Sequence, residues 1–159
     1  MKIRIIAIGK IKENYLKEGI NEYVLRLRPY CNVEIVELND SPVKENPSEK
    51  EIEMVKDEEG QKVLKILKQN DYVINLDLGA KEYDSIAFSN YLEKKLVEGG
   101  SNVTFVIGGS YGLSKKLKER ANDSISLSKM TFLHQMTRLI LLEQIYRSFK
   151  ILKNEVYHK

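Results

Sequence analysis

Apolar residues along this chain switch repeatedly between two spacings, one suited to strands and one to helices. Lys2 to Ile8 (KIRIIAI) reads as a strand. The period then changes, and Tyr15, Leu16, Ile20, Tyr23, Val24 and Leu27 fall on one face of a helix from Glu13 to Arg28, which Pro29 stops. Val33 to Leu38 (VEIVEL) alternates as a half-buried strand does. A loop carrying Pro42 and Pro47 leads to Ser48 and Glu51, whose spacing is that of a capping box and opens a long helix to about Gln69, weakened in its middle by Gly60. Tyr72 to Leu78 is a strand, Asp84 or Ser85 caps a helix to Val97 that Gly99-Gly100 ends, and Val103 to Ile107 is a strand. Ser114 starts a short helix, Ser124 to Leu127 is a brief final strand, and the last helix spans His134 to Leu152.

Strands separated by helices of this length predict an α/β fold, a mainly parallel sheet with helices on both faces, built as one domain over residues 1–159. Ligands of such sheets sit at the carboxyl ends of the strands. Three such ends are legible, at Leu76 to Leu78, at Gly108, and from Leu127 onward, and one crevice can be lined by all three.

With 42% hydrophobic and 31% charged residues the chain is expected to fold, not to stay disordered. Cys31 is the single cysteine, and no basic stretch followed by an apolar one opens the chain, so a reducing, cytoplasmic setting is expected. The longest apolar run, Phe132 to Phe149, is broken by Arg138, Glu143 and Arg147 and is no membrane span. Charge is unevenly divided. Through Leu113 there are 16 Lys and Arg against 19 Asp and Glu, and from Ser114 onward 10 against 4. The basic third is where a polyanion is expected to dock.

The turn FVIGGSYGLS (Phe105 to Ser114) places glycines where a strand ends and a helix begins. Its Gly108–Gly112 spacing is not the dinucleotide fingerprint, and no G-K-[ST] follows. Taken alone it is either a tight turn or a ligand cradle. Ser126 and Lys129 match S-x-x-K without the companion motifs of acyl-transfer enzymes. His134, His158 and Cys31 offer no close-spaced ligand pair for a metal.

At about 100° per residue, Leu141, Leu142, Ile145 and Phe149 gather around the direction of Arg138, so a charge lies within an apolar stripe and must be paired or reach a ligand. Two readings stand: an arginine facing RNA or cofactor at a subunit junction, or an interface arginine satisfied by backbone carbonyls. The helix carries more apolar surface than a small domain readily covers, which predicts a homodimer. Glu143 and Arg147 form an i,i+4 pair expected to support the helix.

The order of VINLDLGAK, FVIGGSYGLS, SISLSKMTFLHQMTRLILLEQIYRSFKI and the closing EVYHK resembles, over essentially the whole chain, the ribosomal large-subunit pseudouridine N3-methyltransferases, small members of the SPOUT class of S-adenosylmethionine-dependent RNA methyltransferases. The resemblance implies a carboxyl-terminal trefoil knot, which connection rules would not suggest. It implies that S-adenosyl-L-methionine is contacted by Leu76, Gly108 and the run Leu127, Ser128, Lys129, Met130, Thr131 and Phe132, and that the substrate is large-subunit (23S) ribosomal RNA within the assembled ribosome. Leu76 and Leu127 would wall the adenine, Gly108 would leave room, and main-chain groups of the loop would read the base edge and ribose.

Such a reaction needs the imide nitrogen of a uracil-type ring to lose its proton. Catalytic candidates are His158 as base, Tyr157 as a stacking partner, and Arg138; Arg147 and Lys159 are alternatives for stabilising the anion. Against this stands a terminus that is simply frayed. Two other functions compete: a nucleotide-dependent oxidoreductase, opposed by the missing glycine fingerprint, and a ribosome-associated RNA-binding module without catalysis.

Overall fold

Alternation along β1 (Lys2–Ile8) sets the layers of the molecule: Ile3, Ile5 and Ala7 enter one apolar cluster, Ile6 and Ile8 the other, and none is more than 1% exposed. The computed structural model describes all 159 residues. Around β1 are β2 (Asn32–Leu38), β3 (Val73–Glu82), β4 (Asn102–Ile107) and β5 (Asp123–Ser126), in the order β2-β1-β4-β3-β5, every pairing parallel. The helices are α1 (Asn14–Leu27), α2 (Glu49–Ile66), α3 (Ser85–Glu98), α4 (Lys115–Arg120) and α5 (His134–Leu152). On the larger face α5 packs between α1 and α3, through residues such as Leu16, Leu92, Leu141 and Ile145. On the other, α2 and α4 bring Val63 and Leu117 onto Ile6, Val73 and Val106.

Capping follows the sequence. The Ser48 side chain accepts from Glu51 N–H at 3.2 Å, Asp84 from Ala87 N–H at 2.7 Å, and Ser114 from Leu117 N–H at 3.2 Å. Gly60, a poor helix former, has a packing reason to be there: a Cβ would lie 2.3 Å from Ser114 Oγ.

Four expectations need correction. Helix α2 ends at Ile66 and not at Gln69, because Leu67 turns extended and Lys68 N–H goes to Asp71 Oδ2. Strand β3 runs on to Glu82 through a register shift between Leu76 and Lys81, where Gly79 takes φ +90°. Tyr15, expected on the buried face of α1, is 58% exposed. The apolar stripe of α5 is also absorbed at home: Leu141, Leu142, Ile145 and Phe149 face the chain's own sheet and neighbouring helices. The stripe around Arg138 is therefore covered within the chain, while Met136, Ile140, Ile151 and Leu152 of the same helix stay partly exposed.

Candidate active site

The three segments converge on one cleft of about 490 Å³, lined among others by Leu76, Asp77 and Leu78 where β3 shifts register, Ile107 to Leu113 from the last residue of β4 onward, and Ser126 to Ser128 with Met130 to His134 from the last residue of β5 onward. Its volume is in the range of small-molecule sites. Each wall has a local cause. The register shift of β3 turns Asp77 and Leu78 out of the ladder. The turn after β4 is closed by Gly112 N–H on Gly109 O at 3.1 Å, and Gly112 takes φ +89°, a conformation that needs glycine. Gly108 has no room for a side chain because its Cβ would lie 2.9 Å from the Gly112 carbonyl; the turn itself, not only a ligand, demands the glycine there.

Past β5 the chain leaves regular structure. Residues 128–132 make no main-chain to main-chain hydrogen bond; Ser128 O accepts from Ser126 Oγ at 2.8 Å, and Met130 N–H donates to Ser128 Oγ at 3.0 Å. The other N–H and C=O groups of this loop are unspent, and polar backbone in a cleft needs partners. Apolar walls from Leu76, Ile107, Leu127 and Phe132 beside such a loop fit an adenosyl group. Lys129 is exposed and does not line the cleft. Charged lining comes from Lys56, Asp77 and Lys118, the last two 3.7 Å apart.

His134, at the first turn of α5, lines the same cleft; burial, with Arg138 nearby, outweighs Asp40 and holds its imidazole below the ordinary value. It is neutral at pH 7. In the sequence it stands out only as the start of a helix and a poor metal ligand.

Arg138 lies elsewhere. It is 2% exposed, and its guanidinium donates to Glu37 Oε2 at 2.6 Å and to Gly9 O at 3.2 Å. Glu37 Oε2 also accepts Ile11 N–H at 3.0 Å. Burial opposes ionisation of Glu37, but the Arg138 and Ile11 hydrogen bonds prevail and keep its carboxyl below the ordinary range. Arg138 therefore faces neither RNA nor cofactor in this chain: its charge joins the end of β2 and the loop after β1 to the start of α5, where His134 and Thr137 border the cleft.

The closing segment is docked, not frayed. The Tyr157 hydroxyl donates to Glu143 Oε1 at 3.0 Å and lies 3.3 Å from Tyr23 Oη, and its ring meets Tyr146 edge-on at 4.9 Å. Burial, then Tyr23 and Glu143, push the Tyr157 phenol up, so it stays protonated. Arg147 lies over the Tyr157 ring and reaches His158 Nδ1 at 3.2 Å. An arginine only donates, so His158 Nδ1 accepts and its proton sits on Nε2. Glu143 and Arg147 pair as expected and, beyond supporting the helix, anchor the tail. Thirteen residues of helix separate Arg147 from His134, roughly 20 Å at 1.5 Å per residue. Tyr157 and His158 are absent from the cleft of their own chain.

Comparison with known proteins agrees with this geometry. A family described as predicted SPOUT methyltransferase matches residues 1–158. The chain is 51% identical to ribosomal RNA large subunit methyltransferase H of Clostridium beijerinckii and 52% identical to the protein of that name from Acetivibrio thermocellus, in each case over 159 residues and the full length of both chains. The solved structure of tRNA (m1G37) methyltransferase from Aquifex aeolicus superposes with a TM-score of 0.52 at 13% identity, covering 92% of this chain and 70% of that one, a likeness of fold. With a parallel sheet, a ligand-sized cleft at its carboxyl ends and a family match from the first residue to the last but one, this chain belongs to the SPOUT methyltransferases, with the carboxyl-terminal trefoil knot and the S-adenosylmethionine dependence of that class.

Proposed function

We propose that this chain methylates N3 of a pseudouridine in large-subunit (23S) ribosomal RNA, on the assembled ribosome, in the cytoplasm and as a homodimer. The observation that carries the reading is full-length identity of about half to relatives named for ribosomal RNA large subunit methylation. No helix is long and apolar enough to cross a membrane, which suits that setting.

S-adenosylmethionine supplies an electrophilic methyl group on a sulfonium centre. In this reading Leu76 and Leu127 flank the adenine, and main-chain groups from Ser128 through Phe132 hydrogen-bond its edge and the ribose; Lys129 contributes backbone only. Gly108 lets the turn approach closely. Holding donor and acceptor in a near-attack geometry supplies much of the acceleration.

Proton removal from the imide falls to His134 in the cleft, because His158 Nδ1 is occupied by Arg147. The tail serves another purpose. Tyr157 stacks on the target base, and His158 Nε2–H with Arg147 stabilises the anion, at the cleft of a second copy, since roughly 20 Å of helix separates them from their own. Arg138 holds the start of α5 in place and touches no substrate. Four exposed apolar side chains at the cleft mouth, Leu78, Tyr111, Met130 and Leu133, give that second copy a surface to cover.

Incubating the chain with ribosomes and methyl-tritiated S-adenosylmethionine tests the activity directly. Label should enter 23S RNA and resist exchange. RNA binding without label would leave a binding module, and label in 16S RNA or free protein would overturn the assignment.

A further inference from the structure

Against the glycine turn lies a buried carboxylate that the fold only half satisfies. Glu59 sits within α2 at 4% exposure. Its Oε2 accepts Ser41 N–H at 3.1 Å, while Oε1 is buried with no partner. A Cβ on Gly109 would stand 2.9 Å from Oε1 and 3.0 Å from Oε2, so the carboxylate rests directly against the main chain of the turn, and Gly109 is bare to receive it. Gly109 and Gly112 bridge each other, while the N–H groups of Ser110 and Tyr111 donate to nothing in the chain. An unpaired acceptor and unpaired donors thus lie on either side of one glycine. The next residue of α2 repeats the contact, since Gly60 accommodates Ser114 at the far end of the turn.

A half-paired buried carboxylate is destabilising, and its retention calls for a function. We propose that Glu59 is a positioning residue for the cofactor cleft: its Oε1 accepts the main-chain N–H of Ser110 or Tyr111 when the turn closes on the ligand, fixing the wall that Gly108 presents. This rests on the cleft being the S-adenosylmethionine site. The charged groups facing Glu59 are Glu58 and Lys62 of α2 and Asp40 of the preceding loop; the turn contributes none. Burial foremost, with Asp40 and Glu58, raises its pKa against the opposing Ser41 N–H and Lys62. The ionised form is the better acceptor, so ligand affinity is full above that raised value and is lost as pH falls through it. Stability of the free protein moves the other way, because protonation relieves the buried charge.

The test is calorimetric titration of S-adenosylhomocysteine into the full chain, with thermal melting of the free protein. Glu59→Gln should bind at least tenfold more weakly than the parent and melt no lower. Gly109→Ala, whose added methyl displaces the carboxylate from the turn, should lose affinity similarly. Affinity of the parent should fall as pH is lowered toward the ordinary carboxylate range, and that component of the fall should vanish in Glu59→Gln, leaving only what His134 contributes to both. Parent binding with both variants within twofold of it overturns the role of Glu59 alone. Affinity lost together with melting temperature in both variants marks plain packing and also overturns it. No saturable heat with the parent overturns the cofactor site, and this role with it.

Discussion

Gly60→Ala is the substitution on which local propensity and tertiary packing disagree in sign. In an exposed helix interior it would stabilise by about 1 kcal/mol, since glycine is the poorer helix former by that amount. Here the new methyl would lie 2.3 Å from Ser114 Oγ and 3.0 Å from Ser114 Cβ, so the serine must move. Overpacking of this kind costs about 1–3 kcal/mol. Displacing the hydroxyl also breaks its bond to Leu117 N–H, the cap of α4, for about 1 kcal/mol more. The net expectation is destabilisation by about 1–3 kcal/mol. Ser114→Gly removes both obstructing atoms and, as a cap, loses only a few tenths of a kcal/mol. In that background Gly60→Ala should become stabilising, by up to about 1 kcal/mol. Urea unfolding of the four proteins of this cycle, monitored by circular dichroism, reads the coupling directly. A Gly60→Ala protein more stable than the parent, or one equally destabilised with and without Ser114, would refute the claim that α2 carries a glycine to seat the turn.

Glu37→Ala should be more destabilising than Arg138→Met, because it leaves a charge only 2% exposed without its carboxylate, about 3–5 kcal/mol, whereas Glu37, whose side chain is 38% exposed, can be hydrated once Arg138 is gone; equal losses in urea unfolding would count against this. The Glu37 carboxyl is held low in the folded state, so its contribution is present above the ordinary carboxylate range and is lost as pH falls through the depressed value; acid titration of Glu37→Gln should lack that portion of the parent's decline. Deleting Val156 to Lys159 should reduce methyl transfer at least a hundredfold, leave S-adenosylhomocysteine affinity within twofold, and lower stability by about 1 kcal/mol through loss of the Tyr157–Tyr146 contact; transfer within about threefold of the parent would show the tail to be structural only. Cys31 is buried, which pushes its thiol up to about 11, so an aromatic disulfide reagent at pH 8 should release no chromophore until denaturant is added.

Elements with strong periodicity and strong punctuation are legible in the sequence. Strand β1 and helix α5 have their sequence-predicted limits because a branched aliphatic run and a long amphipathic stripe each admit one period. Three caps are readable from a serine or aspartate before the helical stripe. The extension of β3 is not, since Gly79 in a strand reads as its end unless the partner strand is known to shift register. The loop after β5 can be placed at a strand end, but that its backbone makes no ladder is a tertiary fact. Gly60 reads as a weakness because the serine opposite it lies 54 positions away. Glu59 carries no signal of its own, one of three acidic residues in a row, until folding buries it alone. The same limit applies to the arginine: helical geometry locates Arg138 on the buried stripe, yet its partner is on β2, and no spacing rule links them.

The place of α5 has a consequence for how the protein is made. This helix fills the gap between α1 and α3 over the centre of the sheet, and it is the last to be synthesised. Until it emerges, Ile3, Ile5, Phe105 and their neighbours have no roof. The nascent chain therefore cannot close its principal core until α5 has cleared the exit tunnel, and an apolar face stays open to chaperones in the interval.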